Sequence, residues 1–214
     1  MAELMPASIQ NPHFLLRRLH SLFGLLPVGG FLIFHLWENS QSRFGAQYYN
    51  EHIVGWLQGL NYLVVMEIFV IALPLLFHAG YGLLVLRSGE SEWGRFPWLH
   101  HRLYWLQRVS GVAILLFLLF HVGWTRLWGL WEPGIRSDLF GHMQSLLSQP
   151  PVFLLYLIGL LLSVFHLSNG LWTMSIAWGL TTSREAQQRW FYVCTGLFFL
   201  LSAMGIHGLL GFVL

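Results

Sequence analysis

Five runs of predominantly apolar residues, each long enough to cross a bilayer as a helix, decide what this chain can become. They cover roughly residues 18–38, 62–86, 103–127, 151–180 and 190–213. About 20 apolar residues at a helical rise of 1.5 Å span the hydrocarbon of a membrane. Backbone groups there must bond internally, which a helix achieves within a single segment. The expected fold is therefore all-α, a bundle of five transmembrane helices forming one domain over residues 1–214. The fourth run is long and is expected to tilt or project into water. Pro74, inside the second, is expected to kink it, with packed neighbours satisfying the freed carbonyl. The stretches 39–61, 87–102 and 128–150 are the substantial polar stretches, and none is long enough for a second domain. No basic region, short apolar core and small-residue cleavage site precede the first run, so it is expected to stay in the mature protein as a span.

Charge supports the same class. Only 9% of the residues are charged and 56% are hydrophobic, against about 25% charged in soluble domains. Lipid must cover much of such a surface. A net charge of +2 gives nucleic-acid binding no electrostatic basis. The basic residues are 11 arginines, with no lysine. With the N-terminus in the cytoplasm, the inner segments hold Arg17, Arg18, Arg87, Arg95, Arg102, Arg108, Arg184 and Arg189, and the outer ones only Arg43, Arg126 and Arg136. That asymmetry predicts a cytoplasmic N-terminus and an outward C-terminus. The one cysteine, Cys194, sits in an apolar run and reads as an inert buried thiol.

Histidine carries the chemistry. Four spans each contain one Phe-His pair, at Phe34-His35, Phe77-His78, Phe120-His121 and Phe165-His166. A single histidine in an apolar helix is more often a hydrogen-bonded core residue than a metal ligand. Four of them are another matter once their depths are counted. His35 follows Arg17 by 18 residues and His121 follows Arg102 by 19, so both rings lie about 27 Å outward from the inner edge. His78 and His166 lie on helices running the other way, about 24 Å inward from the outer edge. The rings thus sort into an outer pair, His35 with His121, and an inner pair, His78 with His166, about 14 Å apart in depth. Two opposed imidazoles at one level can clasp a haem iron, and two such levels would let electrons cross the membrane. Gly82 and Gly170 stand four residues after His78 and His166, on the same helix faces. Each would clear room for a macrocycle, or else serve close helix packing. Zinc or di-iron sites want three or four ligands at one point, which a two-and-two division does not offer.

The runs Arg17-Arg18-Leu19-His20-Ser21-Leu22-Phe23-Gly24, Glu67-Ile68-Phe69, Leu106-Gln107-Arg108-Val109-Ser110-Gly111, His121-Val122 and Phe165-His166-Leu167-Ser168-Asn169-Gly170-Leu171-Trp172 carry a resemblance. From about residue 13 onward the chain resembles the five-helix, di-haem cytochrome b anchor of succinate dehydrogenases and fumarate reductases, in the single-polypeptide form found in menaquinone-using bacteria. The resemblance implies two b-type haems on the same four histidines. It also implies a flavoprotein partner, an iron–sulfur partner and a quinone site, menaquinone being the expected substrate, in a bacterial cytoplasmic membrane. The subunit itself would bind no succinate. Electrons would enter from the iron–sulfur partner at the cytoplasmic face and leave to quinone near the outer haem. Higher oligomers of the complex stay open.

Further residues take roles within that expectation. Glu67 lies about 7 Å below the outer end of its span and is a candidate quinone or proton site; hydrogen bonding to a neighbouring helix is the competing account. Arg17 and Arg108 are expected to meet inner-haem propionates, and Arg126 an outer one. His20 would meet a propionate, line an inner quinone site or simply be satisfied locally. His207 has no depth-matched partner, and His13, His52, His100, His101 and His142 read as solvated. Tryptophans such as Trp37, Trp98, Trp128, Trp131 and Trp190 read as an interfacial belt. Two rivals are a di-haem anchor of a hydrogenase or formate dehydrogenase, and a non-redox transporter or scaffold whose histidines satisfy one another.

Overall fold

A computed structural model describes residues 12–87 and 99–214, apart from the side chains of Pro12 and His100. Arg95 and Trp98 lie outside the described residues. Five helices are long and apolar enough to cross a membrane: α1 (His13–Phe44), α3 (Leu63–Arg87), α4 (His101–Leu130), α7 (Pro150–Ala177) and α8 (Arg184–Gly211). They match the five expected runs, with ends moved by a few residues. The largest changes are at the first, which runs on to Phe44 rather than 38, and the fifth, which begins at Arg184 rather than 190; the fourth stops at Ala177 rather than 180 because Gly179 takes a φ of 73° that turns the chain away.

The stretches at 39–61 and 128–150, expected as polar connections, contain helices. These are α2 (46–58), α5 (Pro133–Ser137) and α6 (Leu139–Leu147). Asp138 caps α6 by accepting from Gly141 N at 2.9 Å and from Asn50 Nδ2 at 2.7 Å, tying α6 to α2. Tyr49, Ile53, Phe140, Met143, Leu147, Tyr156 and Phe212 bury together beneath them. The result is a roof of short amphipathic helices over one end of the bundle. Its apolar undersides need burial, and the ends of α7 and α8 provide it.

The opposite end gathers Arg17, Arg18, Arg87, Arg102, Arg184 and Arg189. Ring and hydrogen-bond contacts fix this: the Arg18 guanidinium lies 4.9 Å from the Trp178 ring, and Trp178 donates to Ser21 Oγ at 3.0 Å. Between the ends, α7 packs against both α4 and α8. Its line of Leu160, Val164 and Leu167 buries with Leu36 and Leu201. Glycines permit the closest approach: a Cβ on Gly208 would lie 2.9 Å from the Asn39 backbone, and Gly208 O accepts from the buried Ser42 Oγ at 2.7 Å. Much of the rest of α3, α4 and α8 presents Val64, Phe69, Leu76, Leu116, Leu119, Phe199 and Leu200 outward, a surface suited to hydrocarbon and not to water.

Two spans widen where proline interrupts them. Gly24–Gly29, containing Pro27, and Glu67–Ala72, just before Pro74, are π-helical. Proline lacks an N–H and crowds the carbonyl one turn back, and a widened turn relieves both. α1 thereby packs on α3 below Pro27 and on α8 above it.

Candidate haem-ligand site

Because α1 and α4 run opposite to α3 and α7, the histidine of each span reaches its level from one of two directions. His35 and His121 come together with ring centres 5.8 Å apart. His78 and His166 come together at 6.1 Å. Two imidazoles that bind one metal from opposite sides, at about 2 Å each, stand with ring centres roughly 6 Å apart. The separations therefore fit a shared metal at each level. Among the described residues no three histidine, cysteine or carboxylate side chains converge as a zinc-type site requires.

Each ring is oriented through its Nδ1. His78 Nδ1 faces the His20 carbonyl at 2.8 Å. His166 Nδ1 meets Ser110 Oγ at 3.0 Å, and Gln107 Nε2 donates to the His166 carbonyl at 2.9 Å. Asn169 Nδ2 donates in turn to Gln107 Oε1 at 2.8 Å. His121 Nδ1 lies 3.3 Å from Tyr156 OH, and His35 Nδ1 lies 3.1 Å from Glu38 Oε1. At His35 the Asn39 amide nitrogen also lies 3.4 Å from both ring nitrogens; at the other three rings such partners leave Nε2 as the nitrogen available for a metal. Tyr49, on α2, donates to Asn39 Oδ1 at 3.2 Å. Burial, with the Glu38 carboxylate nearby, pushes the Tyr49 phenol up, which keeps it a donor.

Two glycines that the sequence reading passed over shape the pockets. A Cβ on Gly24 would run into the His78 ring, and one on Gly111 would lie 3.1 Å from His166 Cε1. They sit on neighbouring helices, so counting along the ligand's own helix does not find them. A Cβ on Gly82 would instead lie 3.2 Å from His20 Nε2, and one on Gly170 3.1 Å from Gln107 Nε2. His20 is closer to the site than its sequence position suggests, its ring stacked on His78 with centres 4.2 Å apart.

Glu67 and Arg126 form a two-pronged ion pair, with Nε to Oε1 at 2.9 Å and Nη2 to Oε2 at 2.7 Å. It joins α3 to α4 near the roofed end. Arg108 donates to the Val85 carbonyl at 2.9 Å and stacks over Tyr104, while Arg17 is exposed. His52 and His207 are exposed, and His142 Nε2 lies 3.0 Å from the Trp124 carbonyl.

A family described as "Succinate dehydrogenase/Fumarate reductase transmembrane subunit" matches residues 90–205. The chain is also 36% identical over 203 residues to the succinate dehydrogenase cytochrome b558 subunit of Bacillus subtilis, covering 95% of this chain and 98% of that one. A match over nearly the whole of both chains takes in all four paired histidines. The chain belongs to the succinate dehydrogenase/fumarate reductase transmembrane-subunit family, as a cytochrome b membrane anchor of the succinate dehydrogenase kind.

Proposed function

We propose that the chain holds two b-type haems, one between His35 and His121 and one between His78 and His166, and conducts electrons between an iron–sulfur partner and menaquinone. The observation that carries this reading is the meeting of the four imidazoles in two pairs at separations that suit one iron each. When bound, the haems supply one-electron carriers with no open coordination position, which favours electron transfer over chemistry at the metal.

The chain's own residues do the rest. Ser110, Tyr156, Glu38 and the His20 carbonyl hold the rings in the tautomer that presents Nε2. Gly24 and Gly111 keep the walls beside His78 and His166 free of side chains. The arginine excess supports a cytoplasmic location for the bare end of the bundle, where an iron–sulfur and a flavoprotein partner would dock. Arg17 and Arg108 stand at that end as propionate partners. Quinone reduction takes up two electrons and two protons, and Glu67, close to the roofed end and held by Arg126, is the candidate to bind the head group or pass a proton to it. Gly82 and Gly170 act one shell further out, giving room to His20 and Gln107.

A dithionite-reduced spectrum with a haem-to-protein ratio tests the proposal. Two b-type haems per chain are expected. His35→Ala and His121→Ala should each abolish the same haem, and His78→Ala and His166→Ala the other. A purified chain without haem, or four variants that do not sort two and two, would refute it.

A further inference from the structure

The four paired rings are not held alike. His78, His166 and His121 each direct Nδ1 at a neutral group: a backbone carbonyl at 2.8 Å, a serine hydroxyl at 3.0 Å and a tyrosine hydroxyl at 3.3 Å. His35 alone directs Nδ1 at a carboxylate, Glu38 Oε1, at 3.1 Å. The sequence contains the same asymmetry. Three residues after the other histidines stand Tyr81, Trp124 and Asn169, and only His35 has an acid at that spacing, which puts both side chains on one helix face.

Glu38 is well placed to act on the ring. It is buried, at 7% exposure. Asn39 beside it donates to the His35 carbonyl at 2.7 Å and accepts from Tyr49, so the turn that carries both Glu38 and His35 is pinned to α2. A carboxylate in such a place is costly unless it is hydrogen-bonded. Its Oε1 lies 3.1 Å from His35 Nδ1.

We infer that Glu38 is a positioning residue that puts negative charge on the His35 ring and holds the iron of the His35–His121 pair at a lower reduction potential than it would have without that carboxylate. This rests on the di-haem reading. A ring N–H donated to a carboxylate raises the basicity of the ligating nitrogen and fixes its tautomer. A more basic ligand and a buried anion both favour ferric iron, which carries one more positive charge than ferrous. Hydrogen bonds to an ionised acceptor are roughly twice as strong as neutral ones, and the low local dielectric strengthens them further. The neutral partners of the other three rings orient without adding charge. The two levels thus differ electrically although their ligand sets are identical.

The test uses the intact membrane complex carrying the natural chain, Glu38→Gln or Glu38→Asp, with optical redox titration and near-infrared magnetic circular dichroism. Glu38→Gln keeps the size and the acceptor oxygen and removes the charge. The couple of the His35–His121 pair is identified as the one missing from His121→Ala. In Glu38→Gln this couple should be about tenfold more reduced at the natural midpoint, an upward shift of about 59 mV for one electron. The other couple should stay in place, and Glu38→Asp should return the first toward its natural value. In the natural protein the ferric charge-transfer spectrum should show two bands, one displaced toward that of imidazolate ligation. That measurement decides the matter if Glu38→Gln does not assemble. Unmoved midpoints, equal movement of both, or coincident bands in the natural protein would overturn the inference. Fewer than two haems in the natural protein would instead count against the di-haem reading itself.

Discussion

Replacing Gly24 with alanine should empty one haem site and spare the other. The added methyl would stand 2.5 Å from His78 Nδ1 and 3.2 Å from Nε2, with Cε1 nearer still. Carbon needs about 3.5 Å from such neighbours, so the ring would have to retreat by about 1 Å. It has no free direction. Its Nδ1 is bonded to the His20 carbonyl at 2.8 Å, and one face lies against the His20 ring at 4.2 Å. A displacement of that size is enough to spoil a preorganised site. The fold should tolerate the change. Overpacking of this kind costs about 1–3 kcal/mol, partly offset by about 1 kcal/mol from replacing a helical glycine. Pyridine haemochrome analysis of the purified protein should show the haem-to-protein ratio falling from two to one. The missing couple in a redox titration should be the one also missing from His166→Ala. Gly30→Ala is the control, since nothing lies within 4 Å of its added carbon, and it should retain both haems. Two haems with unshifted midpoints in Gly24→Ala would refute the steric argument.

Other expectations are shorter. Glu67→Gln should lower succinate:quinone reductase activity with a menaquinone analogue while the haem ratio stays at its natural value. The ion pair it breaks is partly exposed, so the thermal midpoint should move little, and undiminished activity would remove Glu67 from the quinone site. Ser42→Ala should cost about 1–3 kcal/mol by leaving the buried Gly208 carbonyl without its donor, read as a lower melting temperature in detergent. Asp138→Ala should cost about 1 kcal/mol through the lost cap and loosen the roof, seen as faster proteolysis near 138–141 with both haems retained.

The depth of a side chain was easy to read from the sequence and its rotation about the helix axis was not. Depth follows from a fixed rise per residue, so His35 could be matched with His121, and His78 with His166, by counting from arginines and span ends. Rotation depends on which helix lies beside which. Ser110, Tyr156 and the wall at Gly24 belong to helices remote in sequence from the histidines they serve, and no count along one helix reaches them. The stacking of His20 on His78 is of the same kind, since it depends on how α1 lies against α3. Glu38 is a different miss. Its three-residue spacing from His35 was visible, but its meaning came only from seeing that the other three rings have neutral partners. The roof helices escaped because each is shorter than a span and their apolar sides alternate with polar ones. The π turns at Gly24–Gly29 and Glu67–Ala72 had a local cause in Pro27 and Pro74, although proline signals an interrupted ladder without saying whether the helix bends or widens; the one at Gly123–Leu127 has no proline to announce it.

The course of α1 has a consequence for both levels. One rod supplies Gly24 to the wall behind His78 and, 11 positions further on, His35 to the other pair, with the widened turn between them. Its two arms lie against different neighbours, α3 below the widened turn and α8 above it, so a single helix furnishes parts of both levels while each arm is seated by a separate partner.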